Sequence, residues 1–271
     1  MAELTFHVSQ LGIMLLVMLA LWPISVWRND PSFIDSIWPL GFILMALSSA
    51  VSVGTNYLVQ PVFWMVLVWG LRLGLHLFTR WMHEGADKRY DALKARARFN
   101  VHLFVLVTVF VLQGILLWLT SLPIQNAMVR AEGWAPFERM DGFALAGLAL
   151  FIVGFLFETI GDWQLARFKA NPDNAGKVMD QGLWRYTRHP NYFGDACVFW
   201  GIYLVGRAGA DPLWGDGAWT IIGPIFLTWT LTRWSGKALL ERNLMESRPD
   251  YADYVRRTPG FIPGFPKRRD P

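Results

Sequence analysis

The densest polar signal in the chain is the run Gly182-Leu-Trp-Arg-Tyr-Thr-Arg-His-Pro-Asn-Tyr-Phe-Gly-Asp195, which leads into an apolar stretch. Proline suits the first position of a helix, because the N–H it lacks would have no partner there. Pro190 therefore marks a helix start. The free N–H groups and the positive dipole end of that helix are ringed by Arg185, Arg188 and His189. Such a terminus can hold an anion. Asn191 and Asp195 are spaced i and i+4, so both continue along one face into the apolar stretch. Tyr192, one step round, offers a flat ring and a hydroxyl. A membrane flank of basic and aromatic residues would explain the arginines and Tyr186. It leaves Asn191 and Asp195 unexplained.

Two further groups place charge inside apolar runs. Glu158 and Asp162 are again i and i+4, followed by Gln164, Arg167 and Lys169. A carboxylate pair of this kind can accept hydrogen bonds from ribose hydroxyls or amides; it can also be a helix end that solvates itself near headgroups. Arg72, His76 and Arg80 stand at i, i+4 and i+8, which stacks them on one helix face, and Asp35 falls at a matching depth on the preceding apolar run. A cavity open at one side of the membrane and a structural Asp–Arg pair locking two helices both fit this spacing.

The elements that must position these residues are membrane helices. The chain has 271 residues, 54% hydrophobic, 17% charged and 15% aromatic. Soluble domains carry about 25% charged residues, so a soluble enzyme, a disordered tail and a nucleic-acid-binding module are excluded. A span needs roughly 20 mainly apolar residues. Seven runs qualify, at about 8–28, 33–54, 61–82, 101–123, 141–163, 191–208 and 217–235. The first has no basic residue before it, which reads as a retained span and not a cleaved signal. Six, five and nine Lys and Arg residues lie at the ends of the third, fifth and seventh runs and beyond them, Arg80 and Arg233 included, against three on the other side. The positive-inside rule then puts the N-terminus outside and the C-terminus in the cytoplasm. Residues 124–140 read as an outer loop. The tail from about 236 reads as short amphipathic helices, with Leu239, Leu240, Leu244, Tyr251 and Tyr254 among many charges. The single cysteine, Cys197, allows no intramolecular disulfide and no cysteine metal cluster. The expected fold is one all-α polytopic membrane domain of seven helices with no metal site.

The run from Gly182 to Asp195, together with Glu241-Arg242 and Pro249-Asp-Tyr-Ala-Asp-Tyr-Val-Arg-Arg-Thr-Pro-Gly-Phe-Ile-Pro263, resembles the steroid 5-alpha-reductase-like membrane superfamily, which includes the isoprenylcysteine carboxyl methyltransferases. Asp35-Ser-Ile-Trp-Pro-Leu-Gly41, Trp69-Gly-Leu-Arg-Leu73 and His83-Glu-Gly-Ala-Asp-Lys-Arg-Tyr90 look like its bacterial DUF1295 branch. The resemblance implies NADPH bound from the cytoplasmic side and reduction of a carbon–carbon double bond conjugated to a carbonyl. It implies cofactor contacts at Arg80, Glu158, Asp162, Lys169, Lys177, Asn191, Asp195 and Tyr254, with Lys169 and Lys177 able to neutralise phosphates. It divides the chain into substrate-side helices, 1–123, and a cofactor-binding part, 141–271. The steroid reductases polarise the carbonyl with a Gln-Glu pair on the second span and a Tyr on the third. Here the second run has no such pair, and the third-run position beside His76 is Leu77. Asp35, His76 and Tyr90 remain as candidate acids.

Three functions compete. One is an NADPH-dependent reductase of a lipophilic, steroid-like or isoprenoid substrate. Another is an S-adenosylmethionine-dependent methyltransferase, which Arg188-His189-Pro190 and Glu241 also suit. The third is a non-enzymatic membrane protein that binds lipid headgroups. Lys169, Lys177, Arg185 and Arg188 are more cations than one carboxylate needs, which favours NADPH; Asp162 and Asp195 could instead face a sulfonium.

Overall fold

A computed structural model describes residues 2–130, 141–208, 215–234, 241, 244–246, 248 and 250–267. Leu239, Leu240, Arg242 and Pro249, read above as parts of the tail, lie outside the described residues. All regular structure among them is helical. Five helices are long and apolar enough to cross a membrane: Glu3–Arg28, Ile34–Val53, Pro61–Glu84, Val101–Thr120 and Gly142–Ala170. The other two expected spans fall on Pro190–Gly206, of 17 residues, and Ile222–Trp229, of 8 residues, which continues as a π-helical turn over Thr230–Trp234. The chain divides into two compact units.

The first unit comprises Met1–Asp141 and Gly206–Gly223. It contains α1 (Ala2–Arg28), α2 (Ile34–Val53), α3 (Pro61–Glu84), the short α4 (Lys88–Lys94) and α5 (Val101–Thr120). Its core is a set of large apolar side chains with almost no exposure: Met14, Phe42, Met45, Trp69, Phe110 and Leu117. Trp69 meets Phe42 edge-on at 5.6 Å between ring centroids, the geometry ring quadrupoles favour. Midway along α5, Leu106–Val111 winds as a π-helix. A π turn offsets the side chains that follow it, among them Gln113.

The first part of the expected outer loop, 124–129, is not a loop. Leu122–Val129 forms a buried helix, α6, and 131–140 lie outside the described residues. Pro123 sits in its first turn, where proline is tolerated. Gln125 bonds the His7 ring at 2.9 Å, and Thr55 donates to the Met128 carbonyl at 3.0 Å. These long-range partners turn a polar stretch inward, which local composition does not reveal.

The second unit comprises Gly142–Val205 and Pro224–Pro271. Its frame is the antiparallel pair α7 (Gly142–Ala170) and α8 (Pro190–Gly206). Glycines make the contact. A Cβ on Gly154 would come within 2.5 Å of the Gly194 carbonyl oxygen, and one on Gly147 within 2.7 Å of Leu204 and 2.9 Å of the Gly201 oxygen. Backbone therefore packs on backbone, and the residues flanking these glycines are drawn together. The helix α9 (Ile222–Trp229) follows, and the tail forms α10 (Tyr251–Arg257), whose Tyr251 and Tyr254 are buried.

Candidate functional site

In the second unit, the close helix contact brings Glu158 and Asp162 of α7 against the start of α8. Glu158 is 3% exposed and Asp162 9%. The Asn191 amide donates to Asp162 Oδ1 at 3.3 Å. Asp195 lies one turn deeper, half-buried. Sequence spacing placed these acids on two separate helices; the glycine contact joins them.

The loop before α8 is held by its own side chains. Gly182 has φ +58°, a left-handed conformation that favours glycine. Its missing Cβ leaves room for the Gln164 side chain, whose Oε1 accepts from Leu183 N at 2.9 Å. Trp184 Nε1 donates to the Gly161 carbonyl at 3.0 Å, and the Tyr254 hydroxyl to the Trp184 carbonyl at 2.5 Å. Burial drives the Tyr254 phenol far above its usual range, so it is a fixed donor.

Arg188 and His189 do not stand open around the helix end. Arg188 Nε donates to Glu241 Oε1 at 2.8 Å, and its Nη1 reaches the carbonyls of Val255 and Thr258 at 2.9 and 2.6 Å. His189 Nε2 meets the same Glu241 oxygen at 2.9 Å. Tyr192 stacks on the His189 ring at 5.2 Å with 5° between planes. Burial pushes the Glu241 carboxyl up, but the bonds from His189 and Arg188 outweigh it and hold it at about 2. The pair of basic residues read as anion ligands thus fastens the tail to the start of α8. Arg185 is exposed and lines a cleft with Arg257 and Lys267. Lys169 and Lys177 are exposed on the surface, and the Lys177 carbonyl accepts from Arg248.

The first unit holds a separate polar cluster. Tyr90 of α4 donates its hydroxyl to Asp35 Oδ1 at 2.6 Å and accepts from Gln113 Nε2 at 3.2 Å. Arg89 reaches Asp35 Oδ2 at 3.0 Å and Asp87 Oδ2 at 2.8 Å. Asp87 caps α4 through Arg89 N at 2.8 Å, which orients both residues. The Arg80 charge acts on Asp35 and Asp87. Burial, reinforced by Asp35, pushes the Tyr90 hydroxyl well above its usual range. Asp35 and Tyr90 are therefore partners in one site, while His76 is half-buried on α3, one turn before Arg80. Gln113 and Arg89 were not singled out from the sequence. The signal for Gln113 was present, as an amide within the fourth apolar run.

The arrangement defines a class: an all-helical protein with membrane-length helices, carboxylates and amides buried among them, and a clasped polar loop. A family model described as "Protein of unknown function (DUF1295)" matches residues 21–258, and the chain belongs to that family, part of the steroid 5-alpha-reductase-like group. It is similar to an uncharacterized protein of the fission yeast Schizosaccharomyces pombe, 24% identical over 279 residues, covering 90% of this chain and 75% of the relative. No solved structure matches.

Proposed function

We propose that the protein is an NADPH-dependent membrane reductase that saturates a carbon–carbon double bond conjugated to a carbonyl in a lipophilic substrate. The observation that carries this reading is the Glu158, Asp162 and Asn191 group at the α7–α8 contact. Buried ionisable residues inside membrane-length helices are costly and mark sites, and these carboxylates suit the hydroxyl and amide donors of a nucleotide. Membership in a family of the reductase group supports it. The reading assigns cofactor binding to 141–271 and the substrate side to 1–123. It keeps Lys169, Lys177, Arg185 and Asp195 as cofactor contacts. It also keeps seven spans, an outer N-terminus and residence in a cytoplasmic membrane.

The reaction would need a polarised carbonyl and a proton for the alpha carbon, and these the chain's own residues would supply. NADPH supplies the hydride; the protein supplies position and charge. Tyr90 is the assigned proton donor, oriented by Asp35 and Gln113. Burial and the neighbouring Asp35 keep the Tyr90 phenol protonated at neutral pH.

The engagement of Arg188 by Glu241 favours a second reading. With that cation occupied, the site has fewer free positive charges for phosphates, and its buried acids could face the sulfonium of S-adenosylmethionine. Thermal stabilisation of the purified protein by NADPH, NADH and S-adenosylmethionine separates the two, because a ligand of the folded state raises stability by mass action. Stabilisation by NADPH that is lost in Asn191→Ala supports the reductase. Stabilisation by S-adenosylmethionine alone overturns it.

A further inference from the structure

The segment after α10 is a strap laid over the loop before α8. Four hydrogen bonds hold it. Arg188 N donates to the Pro259 carbonyl at 2.9 Å and Gly264 N to the Tyr186 carbonyl at 2.9 Å. Lys267 N donates to the Arg257 carbonyl at 2.9 Å, and Thr187 Oγ1 to the Phe261 carbonyl at 2.8 Å. This backbone is pinned, yet it presents large apolar side chains outward. Ile262 is 70% exposed and Phe265 90%, with Phe265 set edge-on to the exposed Tyr186 ring.

Strap and loop border an open cleft of about 500 Å³, lined by Asp180, Arg185, Arg257, Pro266 and Lys267 among others. Arg257 is held by Asp180 at 3.4 Å and Asp253 at 2.8 Å. Arg185 and Lys267 make no ion pair with any other described residue. Among the described residues the cleft therefore offers two cations without an ion-pair partner, and Phe265 directly precedes Pro266 and Lys267 of its lining.

We propose that this face binds an anionic phospholipid, with the headgroup phosphate between Arg185 and Lys267 and the acyl chains against Ile262 and Phe265. A soluble phosphate or nucleotide could use the cations, but it would leave Ile262 and Phe265 in water. A lipid uses both, since apolar side chains enter the interface and basic groups meet the headgroup layer. The site is separate in its residues from the Glu158, Asp162 and Asn191 group, although the cofactor reading also claims Arg185.

The test uses the full-length protein in neutral detergent, titrated with dihexanoyl phosphatidylglycerol, dihexanoyl phosphatidylcholine, inorganic phosphate and NADPH, with melting temperature as the readout. The anionic lipid is expected to stabilise the protein and the zwitterionic lipid not. Apparent affinity is expected to fall about tenfold in Arg185→Ala/Lys267→Ala, and also in Phe265→Ser. Equal stabilisation by both lipids overturns the proposal, as does an anionic-lipid effect unchanged by the variants. Inorganic phosphate matching the lipid, with Phe265→Ser without effect, makes the cleft a free-phosphate site and also overturns it. Loss of the lipid effect at saturating NADPH assigns the cleft to the cofactor instead. Asn191→Ala keeps the two readings apart: it should remove the NADPH effect and leave the lipid effect. Should a variant melt differently without ligand, mass spectrometry of unaltered protein from mixed-lipid nanodiscs decides, with retention of phosphatidylglycerol over phosphatidylcholine expected and equal retention overturning the proposal.

Discussion

Tyr90 is bonded by two side chains, Asp35 and Gln113, from two other helices. Removing its hydroxyl leaves the ring in place and takes away the assigned proton. Tyr90→Phe is therefore expected to lower turnover about 100-fold or more while costing about 1–3 kcal/mol of stability, since Asp35 and Gln113 each lose a partner. NADPH-dependent stabilisation should be unchanged, and an unaltered turnover number would remove Tyr90 from the mechanism. Glu241 gives a second test, through pH. Its carboxyl lies below its ordinary 4.5, at about 2. A depressed pKa means the folded state prefers the charged form, so the stabilisation is complete above 4.5 and is lost as pH falls toward 2. Wild-type melting temperature should drop more steeply through that window than that of Glu241→Gln. Parallel curves would mean the bond to Arg188 adds nothing.

At the level of elements, the α7–α8 contact depends on glycines seven residues apart, Gly147 and Gly154 on α7 and Gly194 and Gly201 on α8. Gly154→Ala would drive a methyl group into the Gly194 carbonyl, which is backbone and cannot rotate away. The expected cost is about 1–3 kcal/mol or more, read as a lower melting temperature in detergent. Gly12→Ala on α1, where no atom lies within 4 Å of the new Cβ, is the control. It should be neutral or stabilising by up to about 1 kcal/mol. If both behave alike, the helices are not in backbone contact. The same comparison locates a limit of the sequence reading. The apolar runs were visible, but a heptad of glycines is silent until a facing helix shows what it admits.

For the whole molecule, the proposed orientation is checked by labelling. In a Cys197→Ala background, cysteines introduced as Arg98→Cys and Lys177→Cys should both react with a membrane-impermeant maleimide in inside-out vesicles and neither in right-side-out ones. Labelling from opposite sides would break the seven-span arrangement. Five of the seven apolar runs coincide with helices of membrane length. The remaining two fall on Pro190–Gly206 and on Ile222–Trp229 with its π-helical continuation, and a third cysteine between them, Asp216→Cys, reads whether they cross: it should react only in right-side-out vesicles.

Composition alone determined that the chain is built of helices, five of them long and apolar enough to cross a membrane, because a row of about 20 apolar residues is a local property of sequence. Sequence also located a helix start at Pro190 and the polar residues that follow it. Tertiary structure decided who bonds to whom. Arg188 looked like an anion ligand until Glu241, 53 residues later, was found holding it. Asp35 was matched to the third-run cations by depth, yet its bonded partners are Arg89 and Tyr90 from a short helix whose direction the Asp87 cap sets. A charge chooses its partner by distance and geometry across the chain, and no local pattern encodes that distance.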